Sequence, residues 1–160
     1  MSTSNTPDLL GQAVGPIFEQ LAAREQRILL AILERQAAVN YRAWGAEDTD
    51  STVIGGFAKA AANEDMIAQI LEDLDSDHGR LEADLHERFP HLENIFDSVL
   101  NGRPLDERLR LQMAAEAGAS GLFKMLADAE PDLAARQKLM KCSHIEQSNA
   151  DFLAQELGGP

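Results

Sequence analysis

Apolar side chains recur along most of this chain at intervals of three and four residues, the repeat of an α-helix with one face turned inward. The series Phe57, Ala60, Ala61, Ile67, Ala68, Leu71 and Leu74 is an example. No stretch alternates apolar and polar residues over the length of a strand, and Val and Thr are scattered. The pattern predicts an all-α chain. A first helix is expected from near Val14 to near Ala46, ended by Glu47-Asp48-Thr49-Asp50-Ser51, where Asp50 or Ser51 suits the cap of the next helix. For that second helix two stops compete, Asp77-His78-Gly79 and Phe89-Pro90. His91 to Leu100 predicts a short connecting helix closed by Asn101-Gly102, and Pro104 suits the first turn of a third helix ending near Ala129. Glu130-Pro131-Asp132 turns the chain into a fourth, which fades at Leu157. Residues 1–12 are expected to be a flexible leader and 13–157 a single domain, with a crossover at about 76–103. Two helical hairpins joined by a crossover predict a four-helix bundle.

A weak internal repeat runs through this plan. An offset of 82 places Glu34 on Glu116, Ala37 on Ala119, Tyr41 on Phe123 and Trp44 on Leu126. The same offset places Glu64 on Glu146, Ala68 on Ala150 and Leu71 on Leu153. Glu34 and Glu64 are 30 residues apart about the first turn, and Glu116 and Glu146 are 30 apart about the second. Residues equally far from the turn of an antiparallel hairpin lie level, here ~22 Å from the turn at 1.5 Å per residue. Each glutamate also sits on an apolar stripe: Leu30, Ala37, Ala38 and Tyr41 flank Glu34, and Leu139, Cys142, Asn149 and Ala150 flank Glu146. A buried carboxylate costs several kcal/mol unless it is paired, protonated or bound to metal. Four that converge point to a cation.

With Glu34, Ala37 and Tyr41 on the first helix, Glu64 on the second, Glu116, Ala119 and Phe123 on the third and Glu146 on the fourth, residues 28 to 156 resemble the ferritin-like superfamily, rubrerythrin in particular. The resemblance implies a ferritin-like four-helix bundle in which one glutamate from each of two helices, and a Glu-x-x-His from each of the other two, hold two iron ions. It implies Glu34, Glu64, Glu116 and Glu146 as metal ligands, iron as cofactor, and oxidation of the bound metal or reduction of peroxide with an external electron donor. Two positions depart from the pattern. Ile67 stands at one histidine position and Asn149 at the other. Isoleucine does not ligate, and a neutral amide is a poor substitute for imidazole around iron. Two function classes follow: a carboxylate metal-binding protein acting on iron, dioxygen or peroxide, and a degenerate ferritin-like bundle without metal that serves as a protein-binding or assembly factor.

Charge and composition narrow the field. A net charge of −13 argues against nucleic acid and against an anionic membrane surface as partners. The longest apolar run, Ile28 to Leu33, falls far short of the ~20 residues a membrane span needs. Met1 to Leu10 carries no basic segment of a secretory signal, which makes a cytoplasmic location the expectation. Cys142 is the only cysteine, so a disulfide or a cysteine-held iron–sulfur site within one chain is excluded. It reads as a small buried hydrophobe, and Tyr41 and Trp44 as core aromatics. Ile28 to Leu33 covers every face of its helix, which predicts a homodimer through the first helix unless Ile95, Phe96, Val99 and Leu100 of the crossover lie over it. His78, Glu82 and His86 share the spacing of a surface chelate, with Asp75 three residues before them, but they lie in a segment with seven acids and one arginine between residues 72 and 87. His144, two residues before Glu146, is expected to point elsewhere. Gly55, Gly56, Gly118 and Gly121 are expected inside helices, permitting close approach.

Overall fold

The structure, a computed structural model, describes residues 6–158 of the chain. Among them there are seven α-helices and no strand: α1 (Leu9–Phe18), α2 (Ala23–Ala46), α3 (Ser51–Asp73), α4 (His78–Arg88), α5 (Ile95–Leu100), α6 (Leu105–Ala129) and α7 (Leu133–Gly158). The all-α expectation holds.

Two hairpins form the frame. In the first, α2 packs along α3; in the second, α6 packs along α7; and α3 lies against α7. Asp50 starts α3 by accepting from the Thr52 N–H at 2.8 Å, a cap that satisfies a donor left free in the first turn. Gly56 sits beneath the Phe152 ring, where even a Cβ would collide, so this glycine sets how closely α3 and α7 approach. Gly118 allows the Asp8 carboxylate to close on α6, since a Cβ there would stand 2.6 Å from Asp8 Oδ2. Gly55 and Gly121, by contrast, face open space.

The beginning of the chain differs from the expectation. Of the proposed leader, residues 1–5 lie outside the described residues, but Leu9 to Gln12 are helical, capped by Asp8, which accepts from the Gly11 N–H at 2.7 Å. The single helix expected from Val14 to Ala46 is two helices, with a turn at Glu19 to Ala22. There Ala22 is extended and its N–H donates to the Glu25 carboxylate at 2.9 Å, which starts α2 afresh. The turn buries Leu21 and lets α1 fold onto α5 and α6 with Leu10, Val14 and Ile17 turned inward.

The second helix takes the earlier stop, with its last turn at Leu74, and Phe89 ends α4 instead. A 3-10 turn, Pro90–Asn94, leads into α5, and Gly102 at φ +80° turns the chain toward α6. This crossover covers α2. Leu81, Leu85, Leu92, Ile95, Phe96 and Leu100 share one apolar cluster with Ile28, Leu29, Ile32 and Leu33, while Leu30 and Ala31 belong to a second cluster. All six residues from Ile28 to Leu33 are therefore buried within the chain. The homodimer expected through this segment loses its motive, because no bare apolar face is left on it.

The two clusters lie on opposite sides of a polar layer. Tyr41, Trp44, Phe57 and Leu153 belong to one, and Ile67, Leu71, Phe123 and Leu139 to the other. Along α3, α6 and α7 the switch from one cluster to the other occurs at the glutamate, whereas α2 gives residues to the first cluster on both sides of Glu34 and only Leu30 and Ala31 to the second. Tyr41 and Phe123, equivalent under the 82-residue repeat, fall on opposite sides of that layer, as do Leu71 and Leu153. The hairpins are thus related head to tail, and the layer between them belongs to both.

Candidate metal centre

Glu34 on α2, Glu64 on α3, Glu116 on α6 and Glu146 on α7 are all buried, between 0% and 7% exposed. Glu34, Glu64 and Glu146 each turn a carboxylate oxygen toward the others, and these oxygens lie within 4.8 Å of one another. Glu116 stands beside the trio with its Oε1 accepting from the Tyr41 hydroxyl at 2.6 Å and from Gln112 Nε2 at 2.7 Å. The level pairing of the glutamates therefore places all four in the same layer of the core.

Among the described residues no cation pairs with these carboxylates. Several arginines pair elsewhere: Arg35 with Asp65 and Glu72, Arg42 with Asp65, Arg27 with Glu130, Arg88 with Glu25. None of the ion pairs formed by the described residues includes one of the four glutamates. Both oxygens of Glu146 and Oε2 of Glu64 are buried with no hydrogen-bond partner. Loss of water raises the Glu34 carboxyl to about 7, and the Glu116 charge adds to it. Burial lifts Glu64 and Glu146 well above the ordinary carboxylate range, and repulsion from the other glutamates pushes in the same direction. Burial and the neighbouring carboxylates also hold the Tyr41 phenol firmly protonated, as a donor to Glu116.

The two departures from the Glu-x-x-His pattern have a structural counterpart. Ile67 is fully buried in an apolar cluster with Ala68, Leu71 and Phe123. Asn149 donates from its side-chain nitrogen to Glu64 Oε1, while its own oxygen accepts from Asn63 Nδ2 at 2.8 Å. Both ends of the amide are thus engaged. The residues present fit a cation held by carboxylate oxygens and do not fit a centre with two imidazoles.

Several side chains around the layer were not legible as participants. Gln112 lies one turn before Glu116, a spacing at which side chains meet. The hydroxyl of Tyr41 crosses from the other hairpin and leaves no local signal, and neither does the Asn63–Asn149–Glu64 chain. The α4 residues do not form a site. Asp75 lies in the turn before α4 and gives both oxygens to Arg24. His86 stands 3.9 Å from the carboxylates of Glu82 and Glu93, and Glu34, Glu64 and Glu146 are the one group of three or more close acidic, His or Cys ligand atoms among the described residues. His144 is exposed. Cys142 is buried beside Glu34, and desolvation together with that carboxylate pushes its thiol up to about 12, which leaves it inert.

A cleft of about 220 Å³ reaches this layer from the side. Leu10, Val14 and Phe18 of α1 form its outer wall, Leu30, Leu33 and Leu122 line its flanks, and Glu34, Glu116 and Glu146 stand at its base. None of the described helices is long and apolar enough to cross a membrane. Set against family models, curated proteins and solved structures, the chain matches none of the three.

Proposed function

We propose that the glutamate layer is a metal centre and the chain a rubrerythrin-like, ferritin-like carboxylate protein that acts on iron, dioxygen or peroxide. The observation that carries this reading is Glu146: both of its oxygens are buried without a partner, beside two further carboxylates whose oxygens converge with them. A buried acceptor with no donor costs about 1–3 kcal/mol, and more if it is charged. One cation removes that cost for all three at once.

Glu34, Glu64 and Glu146 would hold the ion directly, with Glu116 fixed alongside by Tyr41 and Gln112. An all-oxygen donor set suits hard ions such as Mn(II) and Mg(II), and iron with weaker preference than a site containing imidazole. Iron bound there would supply redox chemistry toward dioxygen or peroxide. The chain's own part is to hold the ion away from water, to release the carboxyl protons as it binds, and to keep the Tyr41 proton at Glu116 Oε1. Electrons would come from an external donor.

A metal-free accessory protein is the second reading, and the Asn149 amide favours it. That amide satisfies one Glu64 oxygen that a metal would otherwise claim.

Metal content after dialysis against Mn(II), Zn(II) or anaerobic Fe(II), together with Tm in each ion, tests the two readings. The metal centre predicts uptake by the parent protein, loss of uptake in Glu146→Gln, and stabilisation of about 2.7 kcal/mol at a hundredfold excess over Kd. No uptake and no Tm response to any of the three ions would decide for the metal-free reading.

A further inference from the structure

The cleft under α1 is built from two kinds of surface. Its walls are apolar, with Leu10, Val14 and Phe18 facing Leu30, Leu33 and Leu122. Its base holds hydrogen-bond acceptors that lack donors. Gln112, 3% exposed, gives its nitrogen to Glu116 and keeps an unpartnered Oε1, and Glu146, 1% exposed, has two unpartnered oxygens. The rim carries Asp8 and Glu19. An engineered apolar cavity of ~150 Å³ already takes up benzene. This one is larger and has a polar end.

We propose that the cleft binds an alkyl compound with one hydrogen-bond-donating head group, a primary alcohol or amine, chain along α1 and head toward Gln112 and Glu146. The chain matches the apolar walls. The head supplies the donors that Gln112 and Glu146 lack. An anionic head is excluded twice, by the acidic rim and by the carboxylates at the base. This assignment deepens the metal-centre reading by naming a substrate class, since the head lies at the glutamates that would hold the ion. The contacts involve protein atoms that the ion would otherwise claim, so binding is read in the metal-free protein.

Gly15 provides the test. It lines the cleft, and a Cβ built on it meets nothing within 4 Å, so a larger side chain is accommodated beside the cleft without a clash at its Cβ. Isothermal titration of the full chain with n-octanol, n-octylamine and octanoate, after chelation, reads the binding. The expected result is one site for the alcohol and the amine, with octanoate weaker by roughly tenfold or more. Gly15→Leu and, from the opposite wall, Ala115→Leu should each weaken octanol by at least roughly tenfold. Gly15→Leu should keep the parent's Tm and metal uptake. Equal binding of alcohol and carboxylate, undiminished binding in both variants, or no binding by the parent would overturn the proposal. Metal uptake without octanol binding would remove the cleft assignment and leave the metal centre. Octanol binding without metal uptake would do the reverse.

Discussion

Asp75 and Glu146 are equally hidden from solvent, at 7% and 1% exposure, yet their surroundings are opposite. Asp75 meets the Arg24 guanidinium through both oxygens and accepts the Asp77 N–H at 2.9 Å, which holds its carboxyl down at about 2. Glu146 meets no donor, and desolvation and repulsion hold its carboxyl up. The Asp75 pair fastens the turn before α4 to the start of α2, and its charge is answered. In the glutamate layer no countercharge is present, and burial holds the carboxyls protonated instead.

The largest expected effect is the pH dependence of the metal-free protein. Glu34, Glu64 and Glu146 bind protons more tightly folded than unfolded, so the stability they contribute is complete below about 4.5 and declines as pH rises above it, for Glu34 through about 7. Glu34 alone, with its carboxyl near 7, accounts for on the order of 3 kcal/mol. Asp75 acts in the opposite sense, its contribution present above about 4 and lost toward 2. Urea unfolding between pH 4.5 and 8 reads the difference, and a stability that rises over that range without metal would erase the contrast. Next comes Glu146→Gln in metal-free protein, which removes a carboxyl that burial holds protonated and should flatten the fall of stability with rising pH, measured as the shift of the urea midpoint between pH 4.5 and 8. Glu116 is the intermediate case, with two donors on one oxygen. Tyr41→Phe removes one of them and should cost about 1–2 kcal/mol by thermal unfolding. Arg24→Ala should have the smallest effect, a slight fall in Tm that shrinks further in high salt, because the guanidinium is half exposed.

The helices from Asp50 onward and the depth of the four glutamates were legible, because spacing about a turn fixes height in a hairpin and apolar periodicity fixes the face. The turn at Glu19 to Ala22 was not. It contains neither Gly nor Pro, and apolar spacing continues across it from Val14 to Leu30. With that turn hidden, α1 and the cleft beneath it were hidden too. For Ile28 to Leu33 the sequence left two covers open, a second chain or the crossover, and only the path of α4 and α5 selects the crossover. Hydrogen bonds that cross between hairpins, such as Tyr41 to Glu116 at 75 residues' separation, leave no trace in local pattern.

The layer draws Glu34 and Glu64 from one hairpin and Glu116 and Glu146 from the other, with the crossover as the covalent link between them. Neither hairpin contains the whole layer, so under the proposed metal-centre reading loading with an ion would act late, after the two halves have met. An ion that holds both halves slows their separation more than it speeds their encounter. Its signature is kinetic, a longer life of the folded chain rather than a faster route to it. A chain cut within the crossover would then depend on the ion for the lifetime of its reassembled halves.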